Sequence, residues 1–297
     1  MNAKSLPFTK GHGTQNDFVL VPDPHGTLDL TAEQVRFLAD RRAGIGGDGV
    51  IRVVPTALAI DEDVRDQVSQ ARWFMDYRNA DGSPAEICGN GTRVFAAYLR
   101  REGLEEGDRF AIATRSGVRT VTLTTDGFAV DLGGWRVVDP TGARRRGFDA
   151  TVRPHGGPEL PALRMDLGNP HTVVVLPPDI ALEDLDLSRA PEVSPPPPEG
   201  TNVEFVRAVG PGHIAMRVHE RGVGETRSCG TGAAAAALAV RWWEGEVDDD
   251  LDAASLDAAS WTVDVPGGRL TVTALAGQRV ELAGPAVLVA DGTVTLY

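Results

Sequence analysis

Cys88-Gly89-Asn90-Gly91 runs at once into an apolar stretch that contains Val94, Phe95, Ala97, Tyr98 and Leu99. The motif returns as Cys229-Gly230-Thr231-Gly232, followed by the unbroken run Ala233-Ala234-Ala235-Ala236-Ala237. These are the chain's 2 cysteines. At the offset that superposes Cys88 on Cys229, Gly91 maps to Gly232, Ala96 to Ala237 and Arg100 to Arg241. Each thiol stands at the N-terminal mouth of a helix, so the chain reads as two related halves. The expectation is that they face each other and bring one thiol from each half to a shared cleft.

Around the first cysteine, residues 92–101 predict a helix that is apolar nearly all round and therefore buried. Arg100 and Arg101 suit its C-terminal end, and Gly103 is a credible stop. Upstream, residues 8–21 read as strand, turn and strand, with the turn over 11–17 carrying Asn16. Thr31 caps a short helix over 31–40 with Val35, Leu38 and Ala39 inward. Gly44-Ile45-Gly46-Gly47-Asp48-Gly49 is a glycine-rich loop before a strand over 50–54. It lacks the Lys of a phosphate-binding loop and no helix follows it, so it reads as close backbone packing or a small-ligand approach. Residues 60–71 read as an exposed connection, 72–78 as a strand and 79–83 as a turn. Three further strands are expected over 110–114, 118–123 and 128–132.

Gly133-Gly134 marks the expected boundary, with residues 139–161 read as an exposed loop. Residues 163–176 then echo the opening hairpin: Gly168-Asn169-Pro170-His171 is a turn before a Val-rich strand. Pro195 to Pro198 reads as a surface polyproline connector, 202–206 and 213–219 as strands, and Glu220 to Thr226 as a polar turn. Residues 248–250 read as a solvated loop and 251–260 as an acidic, alanine-rich stretch. Strands over 261–265, 269–275, 280–282 and 286–289, with a final short pairing over 294–297, close the chain.

The 297 residues favour two domains, and the net charge of −13 argues against nucleic acid or an anionic membrane as partner. The N-terminus shows no signal-peptide pattern, and the uncharged run over 228–240 is too short to span a bilayer. Two cysteines in so long a chain do not make a disulfide scaffold, so a cytoplasmic protein with reduced thiols is expected. The cysteines lack metal-site spacing and the histidines are scattered, so no metal is expected.

A thiol at a helix N-terminus faces unpaired N–H groups and the positive end of the dipole, both of which favour thiolate. One thiolate could remove an α-proton from an amino acid while an opposed thiol returns another, inverting the centre without a cofactor. A lone cysteine is most often an inert small hydrophobe, and a redox disulfide is a further reading. The shared Cys-Gly-x-Gly-helix context is what favours acid–base chemistry.

Taken together, Gly13-Thr14-Gln15-Asn16-Asp17-Phe18, Asn79-Ala80-Asp81-Gly82-Ser83, Cys88-Gly89-Asn90-Gly91, Gly168-Asn169-Pro170-His171, Asn202, Glu220-Arg221-Gly222 and Cys229-Gly230-Thr231-Gly232 closely resemble the diaminopimelate epimerase family. The resemblance implies an α+β fold of two pseudo-symmetric domains. Each is a curled, mostly antiparallel, barrel-like sheet around a central helix, with the active site in the cleft between them. The halves would span 1–133, with 285–297 returning to it, and 134–284. The resemblance also implies catalysis by Cys88 and Cys229 without pyridoxal phosphate, in lysine and peptidoglycan-precursor synthesis, by a homodimer. Asn16, Asn79, Asn169, Asn202 and Arg221 would bind the substrate's amino and carboxylate groups. Backbone around Gly89-Asn90 and Gly230-Thr231 would hold the carboxylate at the reacting centre. His171 and Glu220 would bind nearby and bias the protonation of the thiols.

Two positions depart from the family pattern. Gly49 stands where Gln is frequent, and His219 where an aromatic residue is usual. Competing readings are a two-cysteine racemase of the proline or hydroxyproline type, a phenazine-type isomerase of the same fold, and a non-catalytic redox-switch binding protein. Asn79, Asn202 and Arg221 suit a second charged amino-acid end that proline lacks, and the cysteine pair argues against the phenazine-type enzyme.

Overall fold

In a computed structural model, residues 4–245 and 260–296 are described. The readings for 248–250 and 251–259 lie outside them. The chain divides into two compact units, Met1–Val130 with Ala283–Tyr297, and Asp131–Leu282.

The first unit is built on the hairpin Lys4–Gly13 and Asn16–Pro22. Its turn is only Thr14 and Gln15, both with positive φ (49° and 63°), tighter than the expected 11–17 because both strands run further into it. Asn16–Pro22 pairs in parallel with Gly49–Pro55, which pairs antiparallel with Trp73–Asn79. That strand runs parallel to Arg109–Ala113, followed antiparallel by Arg119–Thr124 and Gly127–Gly134. At the other edge lies Val287–Leu296, antiparallel to Lys4–Gly13. It is one strand where two short pieces were expected.

A parallel pair needs a long crossover. Between Trp73–Asn79 and Arg109–Ala113 that crossover carries the helix Gly89–Arg101. The sheet curls around this helix, leaving Val94, Phe95, Ala96 and Leu99 without exposure. The helix starts three residues before the expected Thr92, because Cys88 itself is its N-cap. Gly103, at φ 66°, ends it.

The second unit repeats this succession. Leu160–Asp166 and Pro170–Val175 form the hairpin, and Pro170–Val175 runs parallel to Asn202–Gly210. The latter is antiparallel to His213–Glu220, which runs parallel to Ser260–Val265, followed antiparallel by Gly268–Leu275. The crossover between His213–Glu220 and Ser260–Val265 carries the helix Gly230–Trp243, whose residues from Ala233 to Ala239 are all without exposure.

Two stretches expected to be irregular are ordered. Within 139–161 lie the helix Pro140–Arg146 and the strand Ala150–Arg153. The Asp139 carboxylate accepts the Gly142 N–H at 2.9 Å, Pro140 opens the helix and left-handed Gly147 ends it. Ala143 and Val152 supply the buried side chains that hold these elements down. Within 60–71, Glu62–Arg65 and Asp66–Ser69 form helical turns. Val64 and Ala71 pin them to Val54, Phe74 and Ala113.

Candidate active site

Each unit carries one thiol in the same local geometry. Cys88 caps its helix in an extended conformation (φ −141°), and its Sγ accepts the Gly91 N–H at 3.4 Å. Cys229 caps the second helix (φ −112°), and its Sγ accepts the Gly232 N–H at 3.4 Å. Both cysteines are free thiols, Cys88 partly exposed and Cys229 buried. The glycine three residues after each cysteine is needed for close approach. A Cβ at Gly232 would stand 2.7 Å from Glu204 Oε1, and one at Gly91 would stand 3.0 Å from Met75 Cε.

In the first unit the hairpin turn delivers Asn16 to Cys88. Asn16 Oδ1 accepts from Cys88 Sγ at 3.6 Å and from Asn90 Nδ2 at 3.2 Å. Asn16 Nδ2 donates to Asp48 Oδ2 at 2.7 Å, and the same oxygen accepts the Asp17 N–H at 3.1 Å. Arg41 holds Asp48 from behind at 2.7 Å and grips both oxygens of Asp17, which Lys10 also contacts at 2.6 Å. Burial works to raise the Asp17 carboxyl, but Arg41 and Lys10 outweigh it and hold it well below the usual range. The Asn79 backbone pairs with Gly49, the residue after Asp48. Asn79 gives its N–H and Nδ2 to Ser83 within its own turn.

The position of Gly49 is closed to any side chain. A Cβ there would lie 2.5 Å from Tyr77 Cε2 and 2.6 Å from the Arg78 carbonyl. Tyr77 thus takes the space a Gln would enter.

In the second unit Asn169 is the counterpart of Asn16. Its Nδ2 donates to Thr231 Oγ1 at 3.2 Å, and Thr231 Oγ1 lies 3.7 Å from Cys229 Sγ. His171 bridges Asn169 Oδ1 (3.1 Å, through Nε2) and Glu204 Oε1 (2.7 Å, through Nδ1), both His171 and Glu204 side chains being fully buried. Asn202 donates to the Pro170 carbonyl at 3.2 Å and accepts the Arg221 N–H at 3.0 Å. The exposed Arg221 guanidinium contacts the Glu199 carbonyl at 3.2 Å. Glu220 accepts from Thr226 Oγ1. Burial pushes the Cys229 thiol well above the ordinary range, and the charges of Glu220 and Glu204 push it further. Thr231 and the Gly232 N–H pull the other way.

Three residues of these clusters were missed from the sequence: Asp48, Glu204, and Arg93, which donates to Asn90 Oδ1 and Thr14 Oγ1. The available signals were a charge inside a buried helix (Arg93) and a charge inside a buried strand (Glu204). Asp48 lies in the glycine-rich loop already singled out. Among the described residues no group of three or more His, Cys, Asp or Glu side chains is placed to hold a metal, and no helix is long and apolar enough to cross a membrane.

Comparison with known proteins places the chain in a family. The diaminopimelate epimerase family model matches residues 8–138 and 164–289. The diaminopimelate epimerase of Streptomyces coelicolor is 48% identical over 297 residues, covering 97% of this chain and 94% of its own. That of Thermobifida fusca is 48% identical, covering 98% of each. Among solved structures, a phenazine biosynthesis protein of the PhzF family from Bacillus anthracis aligns with a TM-score of 0.66 at 17% identity, over 98% of this chain and 99% of its own. A hydroxyproline epimerase from Agrobacterium vitis aligns with a TM-score of 0.63 at 16% identity, over 100% and 93%. At those identities the likeness is one of fold. By the sequence match over most of its length, the chain belongs to the diaminopimelate epimerase family and is an isomerase.

Proposed function

We propose that this chain interconverts LL- and meso-diaminopimelate by a two-base inversion that uses Cys88 and Cys229 and no pyridoxal phosphate, in the supply of lysine and peptidoglycan precursors. The observation that carries this reading is the matched placement of the two thiols, each an N-cap whose Sγ accepts an N–H at 3.4 Å. One thiolate takes the α-proton as the C–H bond breaks. The electron pair left behind spreads into the α-carboxylate. The other thiol then protonates the opposite face, so proton count is conserved and the two sulfurs exchange states. The chemistry requires both thiols to reach one α-carbon from opposite sides.

The helix N-termini at Gly89-Asn90 and Gly230-Thr231 supply N–H groups for the carboxylate on which charge develops. Asn16, Asn79, Asn169 and Asn202 offer donors and acceptors for the amino and carboxylate groups, and Arg221 suits the distal carboxylate. His171, through Glu204, and Glu220 bias the protonation of Cys229. Family membership at 48% identity supports the substrate.

Cys88→Ala and Cys229→Ala test the reading. Each variant should lower interconversion by roughly 10²–10⁴-fold or more, the scale of a lost acid–base group. Full turnover by either variant would rule out the two-thiol scheme.

A further inference from the structure

Arg93 is the bulkiest fully buried side chain of the described residues, with 0% exposure. A guanidinium removed from water needs a counter-charge or a full set of acceptors, and Arg93 has neither in full. One terminal nitrogen donates to the Pro285 carbonyl at 2.6 Å. The other donates to Thr14 Oγ1 at 3.3 Å and to Asn90 Oδ1. Its buried Nε has no acceptor. Among the described residues no carboxylate lies within the 4.0 Å of an ion pair with it. Burial pushes the guanidinium down to about 10, and the charge that opposes this is the Cys88 thiolate.

The second half-site is built differently at this position. At the equivalent place in its helix stands Ala234, and Cys229 is acted on by Glu220 and Glu204 instead.

We propose that Arg93 is the positioning residue of the Cys88 half-site: it locks the Asn90–Asn16 amide pair in one orientation and supplies the buried positive charge against which the Cys88 thiolate forms. This rests on the reading of the two thiols as acid and base. A guanidinium only donates, so Asn90 turns Oδ1 toward Arg93 and Nδ2 toward Asn16 Oδ1 (3.2 Å). Asn16 then gives Nδ2 to Asp48 (2.7 Å) and keeps Oδ1 as acceptor for the Cys88 Sγ–H (3.6 Å). Two charged ends, Arg93 and Asp48, thus dictate both amides. Asp48 is paired with Arg41, and Asp17 behind it with Arg41 and Lys10. Those two carboxylates have cationic partners, whereas Arg93 has no carboxylate partner among the described residues and reaches Cys88 through Asn90 and Asn16.

The test compares iodoacetamide alkylation of Cys88 and Cys229 at pH 7.5, by peptide mass spectrometry on the reduced full-length protein, alongside kcat and KM for epimerisation. R93M should slow Cys88 alkylation by about tenfold or more, the effect of losing an opposite charge near an ionising group, and leave Cys229 within about twofold. R93K, which keeps the charge without the fork, should restore most of the Cys88 rate but less of kcat. Unchanged Cys88 alkylation in folded R93M, or an equal change at both thiols, would overturn the assignment. Should R93M not fold, R93Q carries the same expectation, since it keeps an N–H donor for Asn90 but no charge. Failure of both neutral variants to fold would make Arg93 a residue of the fold alone and overturn it as well. A wild-type protein that does not epimerise diaminopimelate would sink the functional reading, and the alkylation comparison would still decide the role of Arg93.

Discussion

Glu204 stands where the first unit has Ile51. In the parallel pairings Leu20 lies beside Ile51 and Val173 beside Glu204; a Cβ on Gly91 would meet Ile51 Cδ1 at 3.4 Å, and one on Gly232 would meet Glu204 Oε1 at 2.7 Å. The two half-sites therefore share a backbone and differ in charge: an apolar floor and a buried cation near Cys88, a buried carboxylate near Cys229. Removing that carboxylate's charge has a definite sign. A nearby negative charge disfavours thiolate, so Glu204→Gln should lower the raised titration of Cys229 and speed its alkylation at pH 7–8, by up to about tenfold for each unit regained. Burial, the largest cause of the upward shift, remains in the variant. Cys229 should thus still ionise above the ordinary thiol range. An unchanged or slower alkylation rate would show that Glu204 does not act on this thiol. The same variant weakens the partner of His171 Nδ1, a loss of roughly 1–3 kcal/mol of stability that a denaturation curve reads.

The helix Gly230–Trp243 shows what its alanines are for. Ala233 to Ala237 have 0% exposure, so strands approach it from every side with no room for longer side chains. Ala235→Leu should destabilise the protein by about 1–3 kcal/mol or more through overpacking; thermal melting at the wild-type value would contradict that packing. Gly49→Gln, which brings in the residue frequent in the family, should fail in the same way, because the ring of Tyr77 and the Arg78 carbonyl already fill the space. Tyr77→Ala in the same chain should recover part of the loss. Local signals made several elements legible from the sequence. Thr31 caps its helix as expected, and the structure adds a reciprocal Gln34 bond. The helix Pro140–Arg146 carried equally clear signals in Asp139, Pro140 and Gly147, but the run of arginines obscured them. Asp48, Arg93 and Glu204 were not legible as site residues, because their burial or pairing is set by strands and turns far away in sequence. Arg93, for instance, meets Thr14 and Pro285.

Over the whole molecule, the echo between the two cysteine motifs extends to the order of strands. Each unit runs hairpin, parallel strand, antiparallel strand, crossover helix, parallel strand and antiparallel strand. The cysteine motif sits at the same point of both, at the start of the crossover helix. The repeated succession puts each thiol in one geometry, while the residues around the two differ. The proposed two-base inversion needs one thiol as base and the other as acid. The central claim is therefore tested most directly by running the reaction in deuterium oxide, with reduced protein, LL-diaminopimelate and no added pyridoxal phosphate. Early in the reaction the meso product should carry deuterium at the inverted α-carbon while the recovered substrate retains its proton. Absence of incorporation would contradict the account, as would early deuterium appearing equally in substrate and product, the mark of a single base.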